Sequence, residues 1–362
     1  MENTHWNRDV RMSVRDMEGL KSKFSLSESE KAFFEQPRMT DVLPFQVTEY
    51  YLSLVGGDEN DPIRRQCIPT AGEFHVLDYE TDDPLHESGY TPVPRLVHRY
   101  RDRALLLVND TCSVYCRHCF RRNFTGRSAG AVTDTELEAV CTYLRQDIAI
   151  QELLLSGGDP LMLGDSRLES VLMAVRSARP EIMFRLATRT PVTLPYRLTG
   201  DLAFLLSKYF PLWVVTQFNH PAEITPESTA AVAALRGAGI PVLNQTVLLR
   251  GINDNPSVLS LLFRGLVNIG VKPYYIFQGD LASGTGHFRI PIETGWRILE
   301  ELRAKISGLA IPVYAVDLPG GGGKIPLDRG RLAGETEEEY TFRGLDGGLY
   351  TYPKEGSDEQ RH

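Results

Sequence analysis

The arrangement of hydrophobic and polar positions differs between the first hundred residues and the rest of the chain. In the N-terminal region, residues 1–100, apolar positions are scattered among charged ones. The stretch SLSESEKAFFEQP (25–37) predicts one helix, because Ser27 and Glu30 have the spacing of a capping box. The stretch 81–103 is rich in Pro, Asp and Gly and predicts a loop. We therefore expect this region to be helical and irregular.

Beyond this region, short apolar runs alternate with stretches of helical spacing. Runs such as ALLLVND (104–110) are typical of buried strands, whereas DTELEAVCTYLRQD (134–147) repeats apolar residues every three or four positions. About seven strands and six helices alternate over residues 101–325, which predicts parallel βα units. The expected fold class is α/β, a partial (βα)6-type TIM-like barrel. Residues 326–362 are polar and acidic and predict a short C-terminal tail or hairpin that frays at its end.

Composition and charge exclude some partners. The 362 residues suffice for one large domain with appendages or for two domains, and 42% hydrophobic with 24% charged residues is ordinary for a globular protein. The net charge of −8 argues against nucleic acid and against an anionic membrane surface as partners. Neither a signal-peptide core nor an apolar run of roughly 18 residues is found. We therefore expect a cytoplasmic protein with reduced thiols.

Three of the five cysteines lie close together in TCSVYCRHCFRR (111–122). An odd number of cysteines with this clustering is a poor disulfide framework. The isolated Cys67 and Cys141 are expected to be small buried apolar residues. The clustered cysteines follow the first predicted strand, at the end where βα barrels carry their chemistry. They are Cys112, Cys116 and Cys119.

The spacing Cys-x3-Cys-x2-Cys provides three thiolate ligands. Structural zinc sites and closed ferredoxin clusters both use four ligands. Three thiolates on a four-iron cluster leave one iron open, and an open metal position is typical of a catalytic site. The spacing resembles that of the radical S-adenosylmethionine (SAM) superfamily, in which the open iron chelates SAM and an electron from the cluster cleaves it to a 5′-deoxyadenosyl radical. A structural or chance cluster of thiols is the alternative.

A glycine turn follows the next predicted strand, in the motif SGGDP (156–160). Such a turn brings backbone groups and a carboxylate close to a ligand, and we expect it to contact the methionyl amine of SAM. The alternative is a tight turn with no ligand, which two glycines also allow. The residues assigned to this contact are Ser156, Gly157, Gly158 and Asp159.

A second unusual stretch is DLPGGGGKIPL (317–327), in which four glycines precede Lys324. The phosphate-loop pattern fails here, because its first glycine and its Ser or Thr are missing. A mobile lysine is also what a Schiff base with pyridoxal 5′-phosphate (PLP) requires. The PLP phosphate needs cations, and HRYRDR (98–103) lies just before the first predicted strand. Its candidate residues are Arg99, Tyr100 and Arg103, and a solvated run of charges is the alternative.

Seven motifs, in order along residues 60–330, resemble the lysine 2,3-aminomutase family of radical SAM enzymes that also use PLP. They are YCRHCFRR, LLSGGDPLM, TRTPVTLP, FNHPAEIT, LNQTVLLRGINDN, YYIFQGDLASGTGHFR and VDLPGGGGKIP. The resemblance implies three cofactors, a [4Fe-4S] cluster, SAM and PLP. It also implies a reaction in which a radical forms at the substrate β-carbon and the amino group migrates there from the α-carbon.

The resemblance also implies a role for each matching residue. Lys324 matches the PLP lysine, with Arg99, Tyr100 and Arg103 in the PLP-contacting stretch. Arg121 matches the arginine that binds the substrate carboxylate, and Gln245 matches a residue on the SAM side. Asp280 and Asp317 match the pair that binds the far ammonium of lysine.

Two carboxylates beside an apolar slot favour a cationic substrate side chain and repel that of glutamate. Asp280 and Asp317 would then select lysine, although arginine also satisfies such a pair. The alternative is that both residues cap turns at strand ends. The expected activity is the interconversion of L-lysine and L-β-lysine, with another amino-acid 2,3-aminomutase, an arginine enzyme included, as the first alternative. An electron-transfer or scaffold protein with a cluster is the non-enzyme alternative.

Two departures from the family pattern are visible. Gln217 stands where a histidine often contacts SAM, and no cysteine follows Cys141 to form the zinc site of the long family tail. The short tail resembles the branch that makes β-lysine for modifying translation elongation factor P. Besides an amino-acid substrate, the expected partners are a reductant such as flavodoxin or ferredoxin and further copies of the chain in a homo-oligomer.

Overall fold

The computed structural model describes residues 4–37, 39, 42–344 and 346–355. Within these residues two sheets form, one of nine strands and one of three. The strands are β1 (Leu96–Tyr100), β2 (Arg103–Asn109), β3 (Glu152–Gly157), β4 (Met183–Ala187), β5 (Leu212–Thr216), β6 (Val242–Val247), β7 (Lys272–Phe277), β8 (Val313–Leu318), β9 (Gly323–Pro326), β10 (Leu332–Glu335), β11 (Glu339–Arg343) and β12 (Leu349–Pro353). The α-helices of the same residues are α1 (Thr4–Arg11), α2 (Met17–Lys21), α3 (Glu28–Glu35), α4 (Glu49–Ser53), α5 (Arg64–Cys67), α6 (Asp134–Gln146), α7 (Asp165–Ala178), α8 (Thr190–Thr193), α9 (Gly200–Ser207), α10 (Pro226–Gly237), α11 (Pro256–Asn268) and α12 (Ile292–Lys305).

The large sheet is an open, curled half-barrel. In the described part of the chain its strands lie side by side in chain order. Strands β2 to β8 run parallel, whereas β1 and β9 pair antiparallel at the two edges. Each parallel strand leads through a helical crossover to the next, chiefly α6, α7, α9, α10, α11 and α12. The predicted α/β partial barrel is therefore confirmed.

The crossover helices bury one face each against the outer side of the sheet. Apolar residues recur three and four positions apart along these helices, which places them on one face. In α6 the buried residues are Leu137, Val140, Cys141 and Leu144. They join the outward-facing strand residues in one continuous apolar core. Cys67 and Cys141 are both buried, as predicted. The inner, concave side of the sheet remains for a ligand.

The N-terminal region contains the predicted helix. Helix α3 begins at Glu28, and the capping box between Ser27 and Glu30 is present in both directions. Glu30 is also the partner of Arg64, whose Nη2 lies 2.6 Å from Glu30 Oε2 in a fully buried ion pair. One carboxylate thus caps a helix and neutralises a buried cation.

Strand β1 was not predicted. It falls inside the stretch that the sequence analysis interpreted as a loop, because an edge strand pairs on one side only and carries polar residues such as His98 and Arg99. The β1–β2 hairpin spans the predicted boundary at residue 100, and the β8–β9 hairpin spans the predicted boundary at residue 325. The division into 1–100, 101–325 and 326–362 stays a prediction about domains, but the large sheet itself extends past both boundaries.

The C-terminal residues form the small antiparallel sheet, β10 to β12. Its residues Tyr340, Phe342 and Tyr352 are buried, and the Tyr352 hydroxyl donates to the Gly279 carbonyl just after β7 (3.1 Å). The predicted C-terminal hairpin is thus a packed sheet; the fraying expected at residues 356–362 lies outside the described residues. No α-helix in the described part of the chain is long and apolar enough to cross a membrane.

Candidate active site

One cavity on the concave side of the sheet is lined by every residue that the sequence analysis assigned to the site. Its volume is about 370 Å³, within the usual range for small-molecule sites. The cavity lies at the carboxyl ends of the parallel strands, where the loops after several strands meet. The assigned residues on its wall are Arg99, Tyr100, Arg103, Cys112, Cys116, Cys119, Arg121, Ser156, Gly157, Gly158, Asp159, Gln245, Asp280, Asp317 and Lys324.

The cysteine loop, residues 110–126, is supported from outside by the N-terminal region. The side-chain amide of Gln46 donates to the carbonyl of Cys112 (2.8 Å). Arg117, which is fully buried inside the loop, donates two hydrogen bonds to Glu73 (2.8 and 2.7 Å). The N-terminal region therefore fixes the shape of the loop, a role that the sequence analysis did not assign to it.

The three cysteines line the cavity as free, half-buried thiols. Among the described residues, no three His, Cys, Asp or Glu side chains lie close enough together to hold a single metal ion. A four-iron cluster takes one thiolate at each of three irons, so three thiolates around one cavity fit a cluster with an open iron.

A buried arginine lies against one of these sulfurs. Arg189 Nη1 is 2.7 Å from Cys116 Sγ, and its Nη2 is 2.6 Å from Glu223 Oε1. Burial raises the pKa of the Cys112 and Cys119 thiols. The guanidinium places a positive charge beside a sulfur that is negative when it binds a metal. Arg189 belongs to the TRTP motif, but the sequence offered no signal for its contact with a cysteine.

The SGGDP loop packs directly on the cysteine loop. Gly158 donates its N–H to the carbonyl of Asn109 (2.7 Å), and a Cβ at this position would lie 2.4 Å from the carbonyl oxygen of Thr111. Gly157 has φ 117°, and a Cβ there would meet the Asn109 carbonyl at 2.1 Å. The close approach of two backbones therefore requires both glycines. Their contact with SAM stays a prediction.

Asp159 in the same loop uses its carboxylate inside the protein. The two oxygens accept hydrogen bonds from the Thr188 hydroxyl (2.7 and 2.8 Å) and from the backbone N–H groups of Arg189 (2.8 Å) and Leu161 (3.0 Å). The side chain is buried. These hydrogen bonds tie the loop after β3 to the turn after β4, and the contact of Asp159 with SAM stays a prediction.

Lys324 lies in a β-hairpin built by the glycine run. Gly320, Gly321 and Gly323 have φ of 64°, 89° and 80°, which side-chain-bearing residues rarely adopt. The turn places Lys324 on β9 directly opposite Asp317 on β8, and the two side chains form an ion pair. The Lys324 amine also lies 3.9 Å from the centre of the Phe277 ring, over its face.

The predicted phosphate-binding residues lie on the β1–β2 hairpin beside Lys324. Arg99 donates through Nη1 to the Leu85 carbonyl (3.1 Å), but its buried Nε and Nη2 have no hydrogen-bond partner among the described residues. Buried unpaired donors are costly unless a ligand accepts from them, and phosphate oxygens suit a guanidinium. The Tyr100 hydroxyl accepts from the Lys324 N–H (2.9 Å). Arg103 pairs with Asp102 at the surface and stacks on Tyr100.

The acidic pair at the ends of β7 and β8 contains one free carboxylate. The backbone carbonyl of Asp280 accepts hydrogen bonds, whereas no described residue donates one to its carboxylate oxygens. Burial, with Asp317 nearby, raises the pKa of Asp280 to about 7. Asp317 has a cationic partner in Lys324, whereas Asp280 has none among the described residues. The site is therefore suited to bind a cationic ligand.

Arg121 projects from the cysteine loop into the same cavity. Its Nε and Nη2 donate to the two carboxylate oxygens of Glu87 (3.0 and 2.5 Å), and its Nη1 is 3.3 Å from Ser156 Oγ. The sequence analysis assigned no role to Glu87, because this residue lies in a Pro- and Asp-rich stretch without a recognisable motif. Gln217 and His118 also line the cavity, with 3.0 Å between their Nε2 atoms. Since His118 lies between Cys116 and Cys119, Gln217 lies beside the cysteine loop.

Comparisons with known proteins agree with these features. Residues 299–360 match the family described as lysine-2,3-aminomutase, and residues 102–190 match a 4Fe-4S single cluster domain. The L-lysine 2,3-aminomutase of Fusobacterium nucleatum subsp. nucleatum is 43% identical over 348 residues, covering 96% of this chain and 81% of that protein. The L-lysine 2,3-aminomutase of Clostridium subterminale is 43% identical over 348 residues, covering 96% of this chain and 83% of that protein.

Among solved structures, one described as native anSMEcpe with bound AdoMet overlaps 55% of this chain and 58% of its own, with 15% identity and a TM-score of 0.45. Nothing about the ligands of this chain follows from that overlap. The two relatives, in contrast, align along nearly the whole chain, through the cysteine loop, the parallel strands and the glycine hairpin. On that similarity, the chain belongs to the lysine 2,3-aminomutase family.

Proposed function

We propose that this protein interconverts L-lysine and L-β-lysine by moving the α-amino group to the β-carbon. One observation carries the proposal: a single cavity holds three cysteines, a lysine and an acidic pair, with an arginine beside the cysteines. Curated relatives at 43% identity that act as L-lysine 2,3-aminomutases support the same reaction. A protein that only transfers electrons would have no use for the lysine and the acidic pair.

The substrate is bound at both of its ends. Arg121 binds the α-carboxylate, since a guanidinium donates two parallel hydrogen bonds to a carboxylate. Asp280 and Asp317 bind the side-chain ammonium, because the half-buried Asp280 carboxylate has no hydrogen-bond donor among the described residues and is suited to a cation. A glutamate side chain would place a third negative charge there and is rejected. This arrangement fixes the length and the charge of the accepted amino acid.

Three cofactors fit the residues around the cavity. The thiolates of Cys112, Cys116 and Cys119 would hold a [4Fe-4S] cluster, and the neighbouring walls around the SGGDP loop and Gln245 would hold SAM. Lys324 would hold PLP by its carbonyl, with Arg99 accepting the phosphate through its unpartnered Nε and Nη2. When bound, the cluster and SAM supply one-electron chemistry at the substrate carbon, and PLP supplies a carbonyl group for the migrating amine.

Asp317 has a second task before PLP binds. Its carboxylate pairs with the Lys324 ammonium, which keeps the lysine side chain directed across the hairpin. Lys324 must lose a proton before it can act as a nucleophile, and the Asp317 carboxylate lies within hydrogen-bonding distance to accept it. When Lys324 holds PLP it is no longer the ammonium partner of Asp317, so the side-chain ammonium of the substrate can take that place beside the acidic pair.

The proposal extends to partners that the fold itself does not specify. A reductant such as flavodoxin or ferredoxin would deliver the electron to the cluster, the chain would assemble as a homo-oligomer, and it would work in the cytoplasm. Both the reductant and the assembly stay predictions from the family resemblance.

Substrate competition tests the proposal. Protein reconstituted anaerobically with iron, sulfide and PLP is incubated with SAM, dithionite and equal amounts of lysine, arginine and glutamate. We expect β-lysine as the product seen by mass spectrometry, with arginine and glutamate unchanged. Turnover of arginine in preference to lysine would show that arginine is the substrate. The absence of any SAM cleavage would favour the alternative of a non-enzymatic scaffold protein.

A further inference from the structure

The guanidinium of Arg121 has one edge paired with a carboxylate and one edge that no carboxylate of the described residues occupies; the second is called the free edge below. An arginine offers two edges for paired hydrogen bonds, one formed by Nε with Nη2 and one formed by Nη1 with Nη2. Glu87 takes the first edge with both carboxylate oxygens, at 3.0 and 2.5 Å. On the second edge the one contact among the described residues is from Nη1 to Ser156 Oγ, at 3.3 Å on the cavity wall. The free edge therefore faces the cavity.

Hydrogen bonds that do not involve Arg121 hold the backbone of Glu87 in place. It begins a short 3-10 helix, Glu87–Tyr90, whose first N–H groups are capped by one carboxylate. Asp83 Oδ1 accepts from the Glu87 N–H (2.8 Å), and Asp83 Oδ2 accepts from the Ser88 N–H (3.0 Å). The backbone of Glu87 is therefore fixed by a partner other than Arg121, so that Glu87 can orient the arginine.

The segment that carries Glu87 is also joined to the acidic end of the site. Thr81 forms a parallel bridge with Ala282, with hydrogen bonds from the Thr81 N–H to the Leu281 carbonyl (2.9 Å) and from the Ser283 N–H to the Thr81 carbonyl (3.1 Å). Leu281 directly follows Asp280. One segment thus connects the residue that orients Arg121 with the loop that carries Asp280.

We propose that Glu87 is a positioning residue for substrate recognition, which turns the free edge of Arg121 toward the α-carboxylate of the amino acid. This inference rests on the proposed function and names a residue for it that lies outside the seven motifs of the sequence analysis. Glu87 need not leave when substrate binds, because the second edge accepts a carboxylate while the first remains paired. The opposite arrangement, in which Glu87 competes with the substrate carboxylate for Arg121, predicts an effect of opposite sign.

The test compares two ligands that differ only in the α-carboxylate. Binding of lysine and of 1,5-diaminopentane is measured by calorimetry on PLP-loaded protein without SAM, so that no turnover occurs. Glu87→Ala should weaken lysine binding about tenfold or more, as expected for losing the orientation of a charged hydrogen-bonding pair. Binding of 1,5-diaminopentane should stay as in the wild type, because this ligand makes no bond to Arg121.

Two further variants serve as comparisons. Glu87→Gln keeps the size of the side chain and one acceptor oxygen, so it should fall between the wild type and Glu87→Ala. Asp82→Asn removes a negative charge from an exposed position on the same segment and should bind both ligands like the wild type. The turnover assay should show the same loss as a higher KM for lysine with little change in kcat.

Three outcomes would overturn the inference: unchanged lysine binding in both Glu87 variants, equal weakening of both ligands, or tighter lysine binding, which would make Glu87 a competitor. Failure of the proposed function is a separate result, because it would be seen in the wild type as an absence of β-lysine. Thermal unfolding of each variant is recorded alongside, and Glu87→Gln decides the question if Glu87→Ala does not fold.

Discussion

Asp317 and Lys324 stand directly opposite each other on the antiparallel strands β8 and β9, and their side chains form an ion pair across the hairpin. Residues opposite each other in an antiparallel pair bring their side chains close together. The glycines between them serve to close the turn in this register, since three have positive φ. The hairpin therefore delivers both the lysine nucleophile and one member of the acidic pair to the same point of the cavity.

The first prediction concerns Lys324. Lys324→Ala should abolish the visible absorbance of bound PLP and all β-lysine formation, because the amine that joins the cofactor carbonyl is gone. Lys305→Ala, on the exposed side of α12, is the matched control and should keep both. Retention of the wild-type absorption spectrum by Lys324→Ala would show that another amine holds the cofactor.

The second prediction concerns Asp280 and the pH dependence of lysine binding. Burial and Asp317 raise its pKa to about 7, so below that pH the residue is increasingly protonated and loses the charge that binds the ammonium. The KM for lysine should therefore rise as the pH falls from 8 to about 6. Asp280→Asn should raise KM about a hundredfold and remove this dependence. A KM close to that of the wild type would leave Asp280 as a turn residue; Asp201→Asn, exposed on α9, is the control.

The third prediction concerns stability without ligands. A carboxyl group with a raised pKa binds its proton more tightly in the folded state, so its contribution to stability is lost as the pH rises from about 4 through 7. At pH 8 cofactor-free Asp280→Asn should be more stable than the wild type, on the order of 1–3 kcal/mol. The gain should shrink toward pH 5. Urea unfolding at both pH values measures it, and a less stable variant at pH 8 would contradict the assignment.

The fourth prediction concerns the contact between the SGGDP loop and the cysteine loop. Gly158→Ala places a methyl group 2.4 Å from the Thr111 carbonyl oxygen, so one of the two backbones must move. Iron and sulfide content after reconstitution should fall, together with the absorbance of the cluster. Gly200→Ala, where a Cβ meets no atom within 4 Å, is the matched control and should incorporate a full cluster. Equal incorporation in the two variants would mean that this contact does not shape the site.

Sequence patterns predicted the parts of the molecule that depend on local order along the chain. The seven parallel strands and the six main crossover helices were found because their apolar spacing is regular. The cysteine spacing and the glycine run pointed to two loops that the structure brings to one cavity. Strand β1 was missed because it is a polar edge strand. Pairing between distant side chains left no local signal: Arg121 and Glu87 are 34 residues apart, and Arg189 reaches Cys116 across 73 residues.

The same limit applies to the role of Asp159. A carboxylate after two glycines predicts a ligand contact, and only the three-dimensional structure shows that its oxygens also accept hydrogen bonds from the turn at residues 188–190. Which face of a loop points to the ligand depends on the neighbouring loop, and that neighbour is set by sheet order rather than by sequence proximity.

The central claim is that this cavity moves the α-amino group of lysine to the neighbouring carbon without releasing it. The most direct measurement is to incubate the reconstituted protein, SAM and dithionite with lysine that carries ¹⁵N on the α-amino group, and to locate the label by NMR. The account predicts β-lysine with ¹⁵N on the β-carbon and no loss of label to solvent. Unlabelled β-lysine, or release of labelled ammonia without β-lysine, would contradict it.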